Sequence, residues 1–165
     1  MHLIEIKMIS KFCQAFILMV SAYCFSQNYW QQAVDYKMVV DMNVDNFTYV
    51  GEQQLIYTNN SPDVLNKVFY HLYFNAFKPG SEMAARIKNG SDKNTRFNID
   101  IDTIDYKQQG YLKVYDLMQN DKKVKSKLSG TILEVTLKEP IKPGNSTTLS
   151  LKFEGKVPGL IRRAG

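Results

Sequence analysis

Val68–Ser81 reads V-F-Y-H-L-Y-F-N-A-F-K-P-G-S, and the fold turns on how that run is placed. Only His71 and Asn75 interrupt its apolar and aromatic residues before Lys78-Pro79-Gly80 stops it. A run this dense in aromatics, closed by a Pro-Gly turn, predicts a strand buried on both faces. Periodicity alone leaves a short buried helix open. The aromatics from Phe69 to Phe74 and the abrupt stop favour the strand. Such a strand needs partners on both sides, so the other strands are expected around it.

Upstream, Tyr36, Met38, Val40, Met42 and Val44 alternate with Lys37, Asp41, Asn43 and Asp45, Val39 being the exception. That predicts a half-buried strand with one wet face. Asp45-Asn46 turns the chain into a second strand over Phe47–Thr58, with Gly51 a candidate bulge. Asn59-Asn60-Ser61-Pro62-Asp63 is a dense turn signal leading into the aromatic run. Downstream, 78–109 is a long polar loop, of the kind that is functional or mobile. Within it, Asn98–Tyr106 fits a short strand or a helical turn. Strand patterns resume at Tyr111–Met118, Lys122–Leu128, Thr131–Leu137 and Ser146–Phe153, separated by Asn120-Asp121, Ser129-Gly130 and Lys142-Pro143-Gly144-Asn145. The class is all-β: twisted antiparallel sheets, or an open β-sandwich of about eight strands.

Composition agrees. Apolar residues make up 44% and charged residues 22%, a globular balance that excludes disorder. Ten Tyr and nine Phe lean toward β structure. The net charge of +5 is scattered apart from Lys122, Lys123, Lys125 and Lys127. With no basic helix and no nucleic-acid motif, the charge reads as a solvated surface and no nucleic-acid partner is expected.

The first residues read differently. Lys7 and Lys11 precede an apolar stretch from Phe12 to Phe25, and Ser26-Gln27-Asn28 turns polar. This predicts a secretory signal peptide over 1–26, cleaved after Ser26, with Met8 an alternative start. The stretch is short for a bilayer span, so no stable transmembrane segment is expected once it is removed. Export to a periplasm or beyond follows. Lipid anchoring would use Cys24, and the bulky Tyr23 before it argues against that. Both cysteines, Cys13 and Cys24, leave with the signal.

Little in the mature chain can do chemistry. His71 has no second histidine and no thiolate to share a metal, and it reads as a buried, hydrogen-bonded core residue. Asp100, Asp102 and Asp105 supply oxygen ligands at a spacing that could hold calcium. They lack the glycine and terminal glutamate of an EF-hand loop, and a solvated loop is the better reading. There is no H-E-x-x-H, no G-x-S-x-G and no phosphate loop. No catalytic or metal-binding residue is assigned, and substrate-binding residues stay open.

Two sets of motifs nonetheless resemble a known family. Thr131–Gly155 has an alternating strand, a Pro-apolar-x-x-Gly turn and an alternating strand ending in aromatic-x-Gly. This resembles the N-terminal β domain of aminopeptidase N-like zinc metallopeptidases. V-D-Y-K-M, L-I-Y-T-N-N-S-P-D and V-F-Y-H-L-Y-F-N-A-F-K-P-G-S, in that order behind a signal peptide, look like its exported bacterial branch.

The resemblance implies a zinc-dependent aminopeptidase whose H-E-x-x-H lies on a following catalytic domain that this chain lacks. The chain would be a fragment: 1–26 signal peptide, 27–165 N-terminal β domain. It would be inactive alone, with zinc and peptide substrate belonging to the complete enzyme. Its partner would be the catalytic domain of the same polypeptide, and an exposed apolar patch should mark where that domain sits. The competing reading is a free-standing secreted β-sandwich that binds carbohydrate or protein.

Overall fold

The computed structural model describes residues 29–90 and 100–159. The expected signal peptide, with Cys13 and Cys24, lies outside the described residues. Contacts divide the chain into Met1–Gln31 and Gln32–Gly165, and every element below belongs to the second unit.

That unit is all-β and antiparallel. Strands β1 (Ala33–Asn43), β2 (Thr48–Thr58), β4 (Tyr111–Gln119), β5 (Lys122–Lys123) and β8 (Ser146–Lys156) form a five-stranded sheet in the order β1-β2-β8-β4-β5. Strands β3 (Leu65–His71), β6 (Lys125–Ser129) and β7 (Ile132–Ile141) form a three-stranded sheet in the order β3-β7-β6. The two sheets enclose one core, in which Leu55, Leu149 and Leu151 of the larger sheet cluster with Val68, Leu133 and Val135 of the smaller.

The aromatic run is not a central strand. Among the described residues it pairs only with β7, at the sheet's edge, and Phe69 on it is exposed. The strand stops at His71, and Tyr73–Phe77 form a 3-10 turn. Two hydrogen bonds redirect the chain: the Leu72 N–H donates to Thr131 O (2.7 Å) and the Asn75 N–H donates to Leu72 O (3.0 Å). The Asn75 side chain then donates to Leu112 O and accepts from Leu112 N, both at 3.0 Å. It stands in for a strand partner of β4 and pairs both backbone groups of Leu112. The polar residue that interrupts the apolar run is what allows the run to leave the sheet.

Two irregularities fall where the sequence gives little sign of them. Gly51 is not a bulge, because β2 runs in unbroken register with both neighbours. It is instead a gap in the side-chain layer: a Cβ there would overlap the Phe153 ring and the Val39 carbonyl. Gly155 mirrors it beneath the Tyr49 ring. The cross-strand pairs Gly51–Phe153 and Tyr49–Gly155 thus each lay a ring over a glycine. The bulge lies on β4, where Asp116 and Leu117 fit between the pairs Tyr115–Lys152 and Met118–Ser150. Asp116 takes φ 48° there. One added residue flips the alternation, so Leu112 and Val114 face the core before the bulge, and Leu117 and Gln119 after it.

Within 78–109 the described residues hold a helix and short 3-10 turns. Helix α1 (Glu82–Lys88) is capped by Ser81, whose Oγ accepts from Ala84 N at 3.1 Å. Of the stretch expected as a strand or helical turn, the described residues 100–106 form no strand and hold a 3-10 turn at Ile101–Thr103, with Ile101 fully buried.

Candidate functional site

Residues paired across neighbouring strands share a face. On the core side of the five-stranded sheet, β1 therefore presents Tyr36, Met38, Val40 and Met42, opposite Leu55, Gln53, Gly51 and Tyr49 of β2. The three-stranded sheet is too narrow to cover them. Tyr36, Met38, Val40 and Met42 are 65%, 48%, 50% and 47% exposed, although they continue the core face. The opposite face of β1 carries Asp35, Lys37, Val39 and Asp41.

Where the cover stops, a groove of about 450 Å3 opens between the sheets. Tyr36 and Met38 form one wall, Phe69, Tyr70 and Tyr73 the other, and Gln53, Leu151 and Phe153 the floor. Aromatic packing holds the floor: Tyr49 meets Phe153 at 6.0 Å and Phe74 at 6.4 Å, both edge to face. Two buried polar atoms in the lining, the Tyr70 hydroxyl and Gln53 Nε2, have no hydrogen-bond partner among the described residues. Burial, with Tyr36 nearby, pushes the Tyr70 hydroxyl well above the usual tyrosine range, so it stays a neutral phenol. An unpaired buried donor costs about 1–3 kcal/mol, which a polar atom entering the groove would recover.

The residues singled out for chemistry do not converge here. His71 lies at the rim and is exposed, contrary to the expectation of a buried histidine. Its Nε2 pairs with Thr131 Oγ1 at 3.1 Å, and its ring stacks on Tyr73 at 3.9 Å. The strand's turn to the edge put it outside. Each loop carboxylate serves a backbone N–H: Asp100 accepts from Asp102 N, Asp105 from Lys107 N, and Asp102 from Gly80 N at 2.8 Å. Asp100 and Asp105 cap short 3-10 turns, whereas Asp102 ties its turn back to the Pro79-Gly80 turn. Among the described residues no three His, Cys, Asp or Glu side chains gather as metal ligands, so the donor set does not fit a zinc ion. Among the described residues His71 is the one imidazole lining the groove, and no carboxylate or thiol lines it beside His71.

One of the motif residues that suggested a family is structural. Asn59 is fully buried; its amide donates to Ile141 O (2.9 Å) and Asp63 O (2.7 Å) and accepts from Ser61 N (3.0 Å). Gln119, which the sequence reading passed over, ties the sheets together. Its amide donates to Glu139 O (2.7 Å) and Thr147 Oγ1 (3.1 Å) and accepts from Lys138 N (2.8 Å) and Glu139 N (3.1 Å). No sequence signal marks it, because the bulge decides which way it points.

No family model and no curated protein matches the sequence. Similar solved structures include an M1 zinc metallopeptidase from Deinococcus radiodurans, at 16% identity and a TM-score of 0.47, covering 75% of this chain and 20% of that one. Mutants of a two-domain M1 zinc metallopeptidase bound to L-arginine and to L-tryptophan give the same identity and TM-score, covering 75% and 77% of this chain and 21% of theirs. The chain thus spans about a fifth of the length of those proteins. A likeness of that size does not place it in their family. Among the described residues, no helix is long and apolar enough to cross a membrane.

Proposed function

We propose that this chain is the non-catalytic N-terminal β domain of an exported zinc-dependent aminopeptidase, with residues 1–26 as its signal peptide and 27–165 as the domain. The observation that carries the proposal is the bare continuation of the core face along Tyr36, Met38, Val40 and Met42, bordered by the groove. Contiguous apolar surface of this kind marks a contact surface. The motif order supports a catalytic domain of the same polypeptide as what covers it. Zinc and the peptide-cleaving groups belong to that domain, and this chain walls part of the substrate cleft.

The test is the downstream reading frame. An in-frame H-E-x-x-H segment, expressed with this domain, should protect Met38 and Met42 from oxidative labelling. A stop in every frame, or a catalytic segment that leaves both methionines as reactive as before, contradicts the proposal. Zinc-dependent release of an amino acid from a peptide by the pure 165-residue chain would contradict it too. Mass spectrometry of the exported protein should find Gln27 as the first residue; a lipid-modified Cys24 would overturn the cleavage site.

A further inference from the structure

We propose that β1 is a dimerisation edge: two copies of this chain pair their β1 strands antiparallel about a two-fold axis at Val39, joining two five-stranded sheets into one. This uses the strand's edge, whereas a packed catalytic domain uses its face, so the inference stands apart from the functional proposal.

Among the described residues β1 ends its sheet, with one row of backbone N–H and C=O groups unpaired. Such an edge templates pairing unless it is blunted. The other edges are blunted. β5 has two residues, both lysine, and β6 carries Lys125 and Lys127. β3 is broken by a register shift after Leu65. β1 runs 11 residues in unbroken register with β2, with no proline and no bulge.

The sequence of β1 complements itself. With Val39 opposite the partner's Val39, Lys37 faces the partner's Asp41 and Asp41 faces the partner's Lys37. Asp35 faces the partner's Asn43. On the other face Tyr36 meets the partner's Met42, and Met38 meets the partner's Val40. Opposite charges and apolar pairs directly across a ladder each add stability, and a two-fold axis makes every pair count twice. Sliding by two residues sets Asp35 against the partner's Asp41 or Asp45, and sliding by one sets apolar positions against charged ones. Among the described residues neither Lys37 nor Asp41 has an ion-pair partner within its own chain. A strand-edge interface is small, so the association belongs at about micromolar strength or weaker.

Sedimentation equilibrium of the full chain, from about 1 to 300 µM, should show a monomer–dimer equilibrium. Lys37→Asp and Asp41→Lys should each weaken it by about tenfold or more, since each sets like charges opposite one another at two places. Lys37→Asp combined with Asp41→Lys should restore it. Mixing the two singly substituted chains should give a heterodimer, because each supplies the charges the other lacks. The rescue and the mixing keep the test meaningful if one single variant folds poorly; circular dichroism melting monitors that. A monomer throughout the range overturns the proposal. So does a dimer indifferent to both single changes, or a doubly substituted chain that melts normally and fails to regain association.

Discussion

On β8, Leu149, Leu151 and Phe153 are 1%, 6% and 9% exposed. Two strands away on the same face, Tyr36, Met38, Val40 and Met42 of β1 stand about half open. Both strands alternate, Val39 of β1 apart, and both turn their apolar side the same way. Only one lies beneath the three-stranded sheet. Alternation sets which face a side chain takes, whereas its burial depends on what lies above it.

Mutations should separate the two halves. The largest contrast is Phe153→Ala against Met38→Ala. The first opens a cavity beneath the smaller sheet and should cost about 3–5 kcal/mol in urea unfolding. The second removes an exposed side chain and should stay within about 0.5 kcal/mol. Equal costs would mean that the β1 strip is covered. Next comes Gln119→Leu, which strips partners from two N–H groups and a carbonyl between the sheets; it should cost at least about 2 kcal/mol. Gly51→Ala follows at about 1–3 kcal/mol, because its methyl group meets the Phe153 ring and a backbone carbonyl.

The smallest effect is that of pH. Hydrogen bonds from Lys122 hold the Glu139 carboxyl below its ordinary 4.5, and those from Lys113 and Tyr115 do the same for Glu154. A depressed folded-state value means that these pairs stabilise above about pH 4.5 and lose that contribution as pH falls through the lower folded values. The pairs are exposed, so a melting series should show only a slight drop there, smaller still in high salt.

The sequence made the class and most strands legible, because β1, β2, β7 and β8 largely alternate and Asn120-Asp121 marks its hairpin. At that hairpin both residues take positive φ, 46° and 63°, as a tight two-residue turn requires. What the sequence hid was set by distant partners. The Val68–Ser81 run reads as a buried central strand until Asn75 is seen to hold Leu112. Asp116 looks like any strand residue until β8 counts it as a bulge. The three loop aspartates look like ligands until their backbone N–H partners are located. The groove was illegible because its walls come from β1 and β3, which are not neighbours in either sheet.

The central claim is that one sheet face is half covered and half bare. Hydroxyl-radical footprinting of the 165-residue chain tests it residue by residue. Tyr36, Met38 and Met42 should label rapidly while Phe153 stays protected. Protection of all four to the same degree would contradict the account.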